Sequence, residues 1–350
     1  MAPEPTPPQQ TGGYRLRDGW WVALLAAIAC LALLSWALAP AVLRLADRPP
    51  GDGRTVSSFE FDLSTPSIDP ELIVPSMLHR DMVPVIDDPL ILSMNDIEER
   101  GAQRSTRLLV SDDLVIGVVH DGVARAYPLS IMHVHELVHD ELAGTPILVS
   151  WHWPSGAARV LVREEPTQQW GSTGLIGGGN ALLYQRQQER GGEALHSQWL
   201  ARTVTGPAAG TPIDTVPHQV RRWADWKAEH PDSTVLGPDP ELKKRYKKSD
   251  PSTYYENQRM PFGLTRPDSG PPPKTWMTRI DHPDGVVIQP WPELHASSVD
   301  GVFERDGMVF RTTRDPDTVI VLDAETLEPL DAHHGLWLTI HALGPDLPSR

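Results

Sequence analysis

The densest chemistry in the sequence lies in one short run, His133 to His139, with His152 after the next apolar stretch and His196 further on. His135-Glu136-Leu137-Val138-His139 matches H-E-x-x-H, in which two imidazoles one helical turn apart hold zinc and the glutamate serves as general base. If the following strand packs beside that helix, His135, His139 and His152 converge, with His196 or Glu136 completing the set, and such imidazole-rich ligation suits Zn or Cu. A peptidase needs a third ligand and an open coordination position as well. Here Leu142 stands where the longer H-E-x-x-H-x-x-G-x-x-H pattern has glycine, and Thr145 stands where it has the third histidine. Five-residue matches also arise by chance, so the sequence favours a non-catalytic protein over a His-ligated metal protein, and either over a zinc hydrolase. The single cysteine, Cys30, excludes a disulfide framework or a Cys-based site within one chain.

Positioning those groups falls to strands and one helix. Leu114–His120 and Val123–Tyr127 read as a hairpin around Asp121-Gly122. Pro128 then opens a helix expected over Leu129–Leu142, with Ile131, Val134, Val138 and Leu142 on one stripe and Gly144 as its stop. On that helix His135 borders the buried stripe, His139 sits on its flank, and His133 points away. Thr145–Trp151 and Ala157–Arg163 read as a second strand pair around Trp153–Gly156. Arg125 and Tyr127 alternate on one strand and share a face. Arg125 beside Glu136 or Asp140 would make a semi-buried ion pair or an anion-binding point. Downstream come a Gly-rich run at Gly171–Asn180, a strand at Ala181–Arg186 and an amphipathic helix at Val220–His230. Leu336-Trp337 onward faintly echoes Trp223-Ala224-Asp225-Trp226, as a remnant of an internal repeat would.

The first 18 residues are Pro/Gln/Gly-rich and expected to be disordered. Residues 19–43 are uncharged and apolar, long enough for one transmembrane helix, with Trp20-Trp21 suited to the headgroup interface. A short N-tail and a large body favour a single-pass protein of the cell membrane, with the body on the periplasmic or extracellular side. The formal net charge of −15 excludes a nucleic-acid partner, and the basic run Lys243–Lys248 reads as a solvated loop. The partners expected are the membrane itself, through residues 19–43, and a protein at the membrane.

Several ordered short motifs give a resemblance. Phe61-Asp62-Leu63-Ser64, Arg80-Asp81 with Pro84, Asp88-Pro89, Arg125-Ala126-Tyr127-Pro128-Leu129, His135-Glu136 with Asp140, Gly144-Thr145-Pro146, Ser197-Gln198, Gly206-Pro207 and Trp223-Ala224-Asp225-Trp226 with His230-Pro231-Asp232 resemble the DUF3179 family, a bacterial and archaeal group of secreted or membrane-anchored proteins. The resemblance implies a framework of Arg125, Tyr127, Glu136, Asp140, Ser197 and Gln198. It also marks departures. His152-Trp153-Pro154-Ser155-Gly156 stands where the family has a Cys-Pro-Leu-Cys-Gly-like turn, and His139 stands where it has asparagine, the change that creates H-E-x-x-H. The expected fold is α+β, a mainly β extracytoplasmic body with a few short helices behind one N-terminal transmembrane helix. Its parts are an extended lead-in (44–88), a DUF3179-like domain (89–255), a Pro/Gly-rich boundary (256–275) and a β-rich C-terminal segment (276–350) packed on the domain. The expected role is a binding or assembly component, since such a role tolerates the missing cysteines and a thiol-dependent one does not.

Overall fold

The computed structural model describes residues 20–46, 49–102, 108–187, 191–246, 250–282, 285–314 and 317–344; the tail expected to be disordered lies outside them. Helix α1 (Trp20–Ala46) covers the apolar stretch and continues past it. Its segment Trp20–Ala39 has a mean hydropathy of 2.5 and none of it is buried. Length and composition allow this helix to cross a membrane, a property shared by anchors and signal sequences.

Residues from Pro50 onward form a separate unit, α+β and mainly β. Its lead-in contributes β1 (Ile73–Pro75) and β2 (Ile91–Leu92), then α2 (Met94–Ala102). The hairpin of β3 (Leu114–His120) and β4 (Val123–Pro128) follows, then α3 (Leu129–His135) and a meander of β5 (Leu137–Leu142), β6 (Thr145–His152) and β7 (Ala157–Val162). The chain next leaves on an excursion through β8 (Trp170–Gly177), β9 (Asn180–Gln185), β10 (His196–Ser197) and β11 (Arg202–Thr203). It returns as β12 (His218–Arg222), α4 (Trp223–Glu229) and β13 (Thr234–Leu236), and crosses α5 (Lys243–Tyr246) and α6 (Ser252–Glu256). The last part runs β14 (Trp276–His282), β15 (Gly285–Pro290), α7 (Trp291–Ser297), β16 (Val302–Arg305), β17 (Met308–Thr313), β18 (Thr318–Asp323), β19 (Ala332–Leu336) and α8 (Trp337–Ala342).

That last part repeats the earlier one, element for element. Each repeat has a hairpin ending in proline, a seven-residue helix, a three-stranded meander, and a returning strand antiparallel to the hairpin's first strand, followed at once by a helix that opens on tryptophan. The backbone hydrogen bonds coincide as well. Trp223 N donates to Asp113 O at 2.8 Å, and Trp337 N to Thr275 O at 2.9 Å. Val216 N donates to Val160 O at 2.9 Å, and Leu330 N to Val321 O at 2.9 Å. Glu136 N closes α3 on Met132 O and Ser298 N closes α7 on Leu294 O, both at 2.9 Å. The turns Ala143-Gly144 and Asp306-Gly307 both have paired positive φ values, the form that matches strand twist. Matching positions also build the two cores: Val118, Met132, Val149, Ala158 and Val160 in the first repeat, and Ile280, Leu294, Phe310, Val319 and Val321 in the second. The repeats embrace, because β12 packs beside β18 of the second and β19 beside β7 of the first. The echo at Trp223 and Trp337 thus marks a whole repeat; the Pro345-Asp346 part of it lies outside the described residues.

What distinguishes the first repeat is the excursion. It forms a five-stranded sheet in the order β1-β8-β9-β10-β11, so lead-in and excursion together make an extra layer. The Gly-rich run supplies most of β8, which is buried along its whole length, and then the Gly178-Gly179 turn into β9. A Cβ on Gly174, at φ 75°, would come within 2.8 Å of His79 O and of the Phe59 ring. Only glycine allows that approach.

Two expected helices are shorter than their patterns. The helix predicted over Leu129–Leu142 ends at His135, and Leu137–Leu142 is a strand paired with β6. Glu136 makes the break at φ 54°, and Gly144 belongs to the β5–β6 turn rather than to a helix stop. A strand buries all but one residue of β5 between β6 and its neighbours, which a half-exposed helix does not. In Val220–His230, the first three residues extend β12 along β3, and the helix starts at Trp223. Of the basic run, Lys243–Tyr246 forms the turn of α5, while residues 247–249 lie outside the described ones.

Candidate functional site

Because α3 stops at His135, the H-E-x-x-H segment straddles a helix and a strand, and its histidines do not share a helical face. His135 is buried, with Nδ1 2.5 Å from Pro84 O and Nε2 2.8 Å from the Tyr246 hydroxyl. Since a carbonyl only accepts, Nδ1 carries the proton and Nε2 accepts from tyrosine. His139 is fixed in the same way. Trp170 N donates to its Nε2 at 2.8 Å, and its Nδ1 faces Asp87 Oδ1 at 2.7 Å. Burial lowers the pKa of both rings. These histidines fasten the lead-in (Pro84, Asp87), the excursion (Trp170) and α5 (Tyr246) to the first repeat.

His152 and Ser155 occupy the positions where the resemblance places cysteines, and they bond each other, Nδ1 to Oγ, at 2.8 Å. Asn180 Nδ2 donates to the same Oγ at 2.9 Å and to Gln198 Oε1 at 2.7 Å. Gln198 Nε2 reaches Ser150 Oγ at 3.1 Å and Ala157 O at 3.0 Å. All five side chains are buried, and burial drives the His152 pKa down to about 3. His196 lies apart on β10, with Nδ1 3.1 Å from Thr203 Oγ1. Ser197 sits beside it and its hydroxyl accepts from Leu200 N at 3.2 Å. Among the described residues, no group of three or more His, Cys, Asp or Glu side chains is arranged to hold a metal ion.

Arg125 and Tyr127 meet on Asp140. Arg125 Nη1 lies 2.6 and 2.7 Å from its two carboxylate oxygens, and the Tyr127 hydroxyl donates to Oδ2 at 2.8 Å. Arg125 also reaches Thr234 Oγ1 of β13 at 3.0 Å, so the group ties the hairpin, the meander and the last strand of its sheet together. Both ionic side chains are shielded, 13% and 5% exposed, where losing one partner strands the other. Glu136 is of another kind. Its carboxyl is buried, and desolvation raises its pKa to about 8 against a smaller opposing hydrogen bond from Trp153. Burial thus favours its protonated form, at a backbone position with positive φ.

The large concavity lies elsewhere, between the repeats. A cleft of about 760 Å³ is lined from the first repeat by Leu114, Leu129, Val220 and Gly156, and from the second by the matching Trp276, Trp291, His334 and Asp317. Trp151, His133 and Tyr255 are also among its walls. Trp276 and Trp291 stack at 5.1 Å and 20°, and Tyr255 lies 5.2 Å from Trp276. Gly156, at φ 65°, makes room for this wall, since a Cβ there would strike the Trp276 ring at 2.3 Å. His133 faces the cleft rather than open solvent, and burial lowers its pKa to about 4 against the pull of Asp250. Sequence reasoning passed over these residues. A signal was available, because proline followed five residues later by histidine occurs at Pro128/His133 and again at Pro290/His295, at the start of each repeat's helix.

The family model described as "Protein of unknown function (DUF3179)" matches residues 80–333, which covers the first repeat, the excursion and the second repeat as far as His333 in β19. Comparison with curated proteins and with solved structures gives no match.

Proposed function

The chain belongs to the DUF3179 family, and from that premise we propose that it is a membrane-anchored, extracytoplasmic binding component without catalytic activity of its own. The observation that carries this reading is the cleft on the line between the repeats. Its size suits a small molecule, for which sites of roughly 300–1,000 Å³ are usual, and matching positions of both repeats line it. The rival site is closed by its own bonds. In the H-E-x-x-H segment both ring nitrogens of His135 and His139 already have protein partners, which leaves neither ring free for zinc or copper without breaking a hydrogen bond to the protein.

Two measurements on the full chain test the proposal. Protease added to spheroplasts should digest the body while α1 stays membrane-bound; a body protected until lysis overturns the extracytoplasmic placement. Purified protein should lack zinc-dependent peptide hydrolysis. Casein cleavage that Glu136→Gln abolishes, with one zinc per chain retained, would make the protein a hydrolase instead.

A further inference from the structure

We infer that the cleft between the repeats takes a small organic cation of the quaternary-ammonium class, an inference that rests on the binding reading above. Aromatic rings line the wall. Trp291 spends its indole N–H on Thr278 Oγ1 at 2.8 Å, so that donor is already taken. Trp276 stacks on it, Tyr255 tilts against Trp276, and Trp151 adds a further ring. Such rings attract an alkylated cation through the ring quadrupole, with little call for hydrogen-bond acceptors.

Charge points the same way. Asp112, Asp113, Asp250, Glu256 and Asp317 line the cleft, and no lysine or arginine is among its described lining residues. A phosphate or carboxylate ligand meets like charge here, whereas a cation meets a complementary field. Lys274, in the neighbouring groove, shows the local chemistry at work. Its Nζ lies 3.6 Å from the centre of the Tyr254 ring and donates to Tyr254 O at 2.7 Å and to Asn257 Oδ1 at 3.2 Å. The strap that supplies Tyr255 and Glu256 to the cleft thus already seats one ammonium on an aromatic face.

Isothermal titration calorimetry on the full chain in non-ionic detergent tests this with three probes: choline chloride, its uncharged isostere 3,3-dimethyl-1-butanol, and maltose. Choline should bind at least about tenfold tighter than the isostere, the margin being the positive charge over aromatic faces and carboxylates. The double variant Asp112→Asn/Glu256→Gln alters two exposed side chains, so its fold should survive. It should weaken choline several-fold and leave the isostere unchanged. Equal binding of choline and isostere, or binding of maltose alone, overturns the cation and leaves a ligand cleft standing. No heat with any probe, together with no change of the Trp276→Phe variant in a wider thermal-shift screen, would remove the binding reading itself.

Discussion

The two repeats share a backbone and differ in chemistry. Where the first has Arg125, Tyr127 and Glu136, the second has Val287, Gln289 and Ser298 at matching positions. The second repeat closes its hairpin, helix and meander with none of the first's ionic groups, so the architecture does not require them. What the first repeat has in addition is the extra layer of lead-in and excursion, and its polar groups point there: His135 to Pro84, His139 to Asp87 and Trp170, and Arg163 to Pro166 and Gln168. Buried polar side chains cost stability unless paired, and here their partners are the Asp87 carboxylate and backbone groups of segments that must be held down. The comparison teaches that the H-E-x-x-H histidines belong to assembly of the layer, while the aromatic cleft belongs to both repeats together.

The ion pair of the first repeat and its neutral counterpart in the second should differ most when each is removed. Arg125→Ala should cost about 3–5 kcal/mol in denaturant unfolding, because Asp140 is left shielded without its cation. Val287→Ala, on a half-buried strand, should cost about 1 kcal/mol or less. Equal losses would mean that the pair adds nothing beyond packing.

Glu136, matched by Ser298, separates the repeats by pH. Both the folded and the unfolded chain hold the proton below the ordinary carboxyl range, so burial is then inexpensive. Between that range and about 8 the unfolded chain ionises while the folded one stays protonated, and stability falls as pH rises. Above about 8 the deficit stays constant. Glu136→Gln should remove this alkaline limb and gain on the order of 4 kcal/mol at pH 8, given ~1.4 kcal/mol per pH unit. The acid limb has the opposite sign and is common to both repeats. Burial lowers His152 and His334 to about 3, so stability is lost as pH falls from the ordinary imidazole range towards that value. Melting curves from pH 4 to 9 should show the variant losing one limb and keeping the other. An unchanged alkaline limb would place Glu136 in contact with solvent.

A smaller effect than either Arg125→Ala or Glu136→Gln concerns the layer. His139→Ala should cost about 1–3 kcal/mol, since it leaves the buried Trp170 N–H without its acceptor. Hydrogen exchange should quicken at Trp170 and along β8, and stay unchanged in β17 and β18. Uniform acceleration across both repeats would deny the layer its separate attachment.

Much of the architecture was legible in the sequence because its cues are local. Asp121-Gly122 marks its hairpin, Pro128 marks the start of a helix, and the uncharged run from residue 19 marks an apolar span, each through backbone sterics or solvent that act within a few residues. Family membership was legible as well, from motifs spread along the chain. The end of α3 was not. Leu137–Leu142 satisfies a helical stripe and a buried strand equally, and only β6 and the lead-in, arriving from elsewhere in the chain, decide for the strand. The fate of the histidines followed from that decision, because Pro84, Asp87, Trp170 and Tyr246 are remote in sequence and reach them only through the folded layers. The cleft lay furthest from view. Its wall joins Gly156 to Trp276 and Leu129 to Trp291, pairs of positions that only the packing of one repeat against the other brings to a common surface.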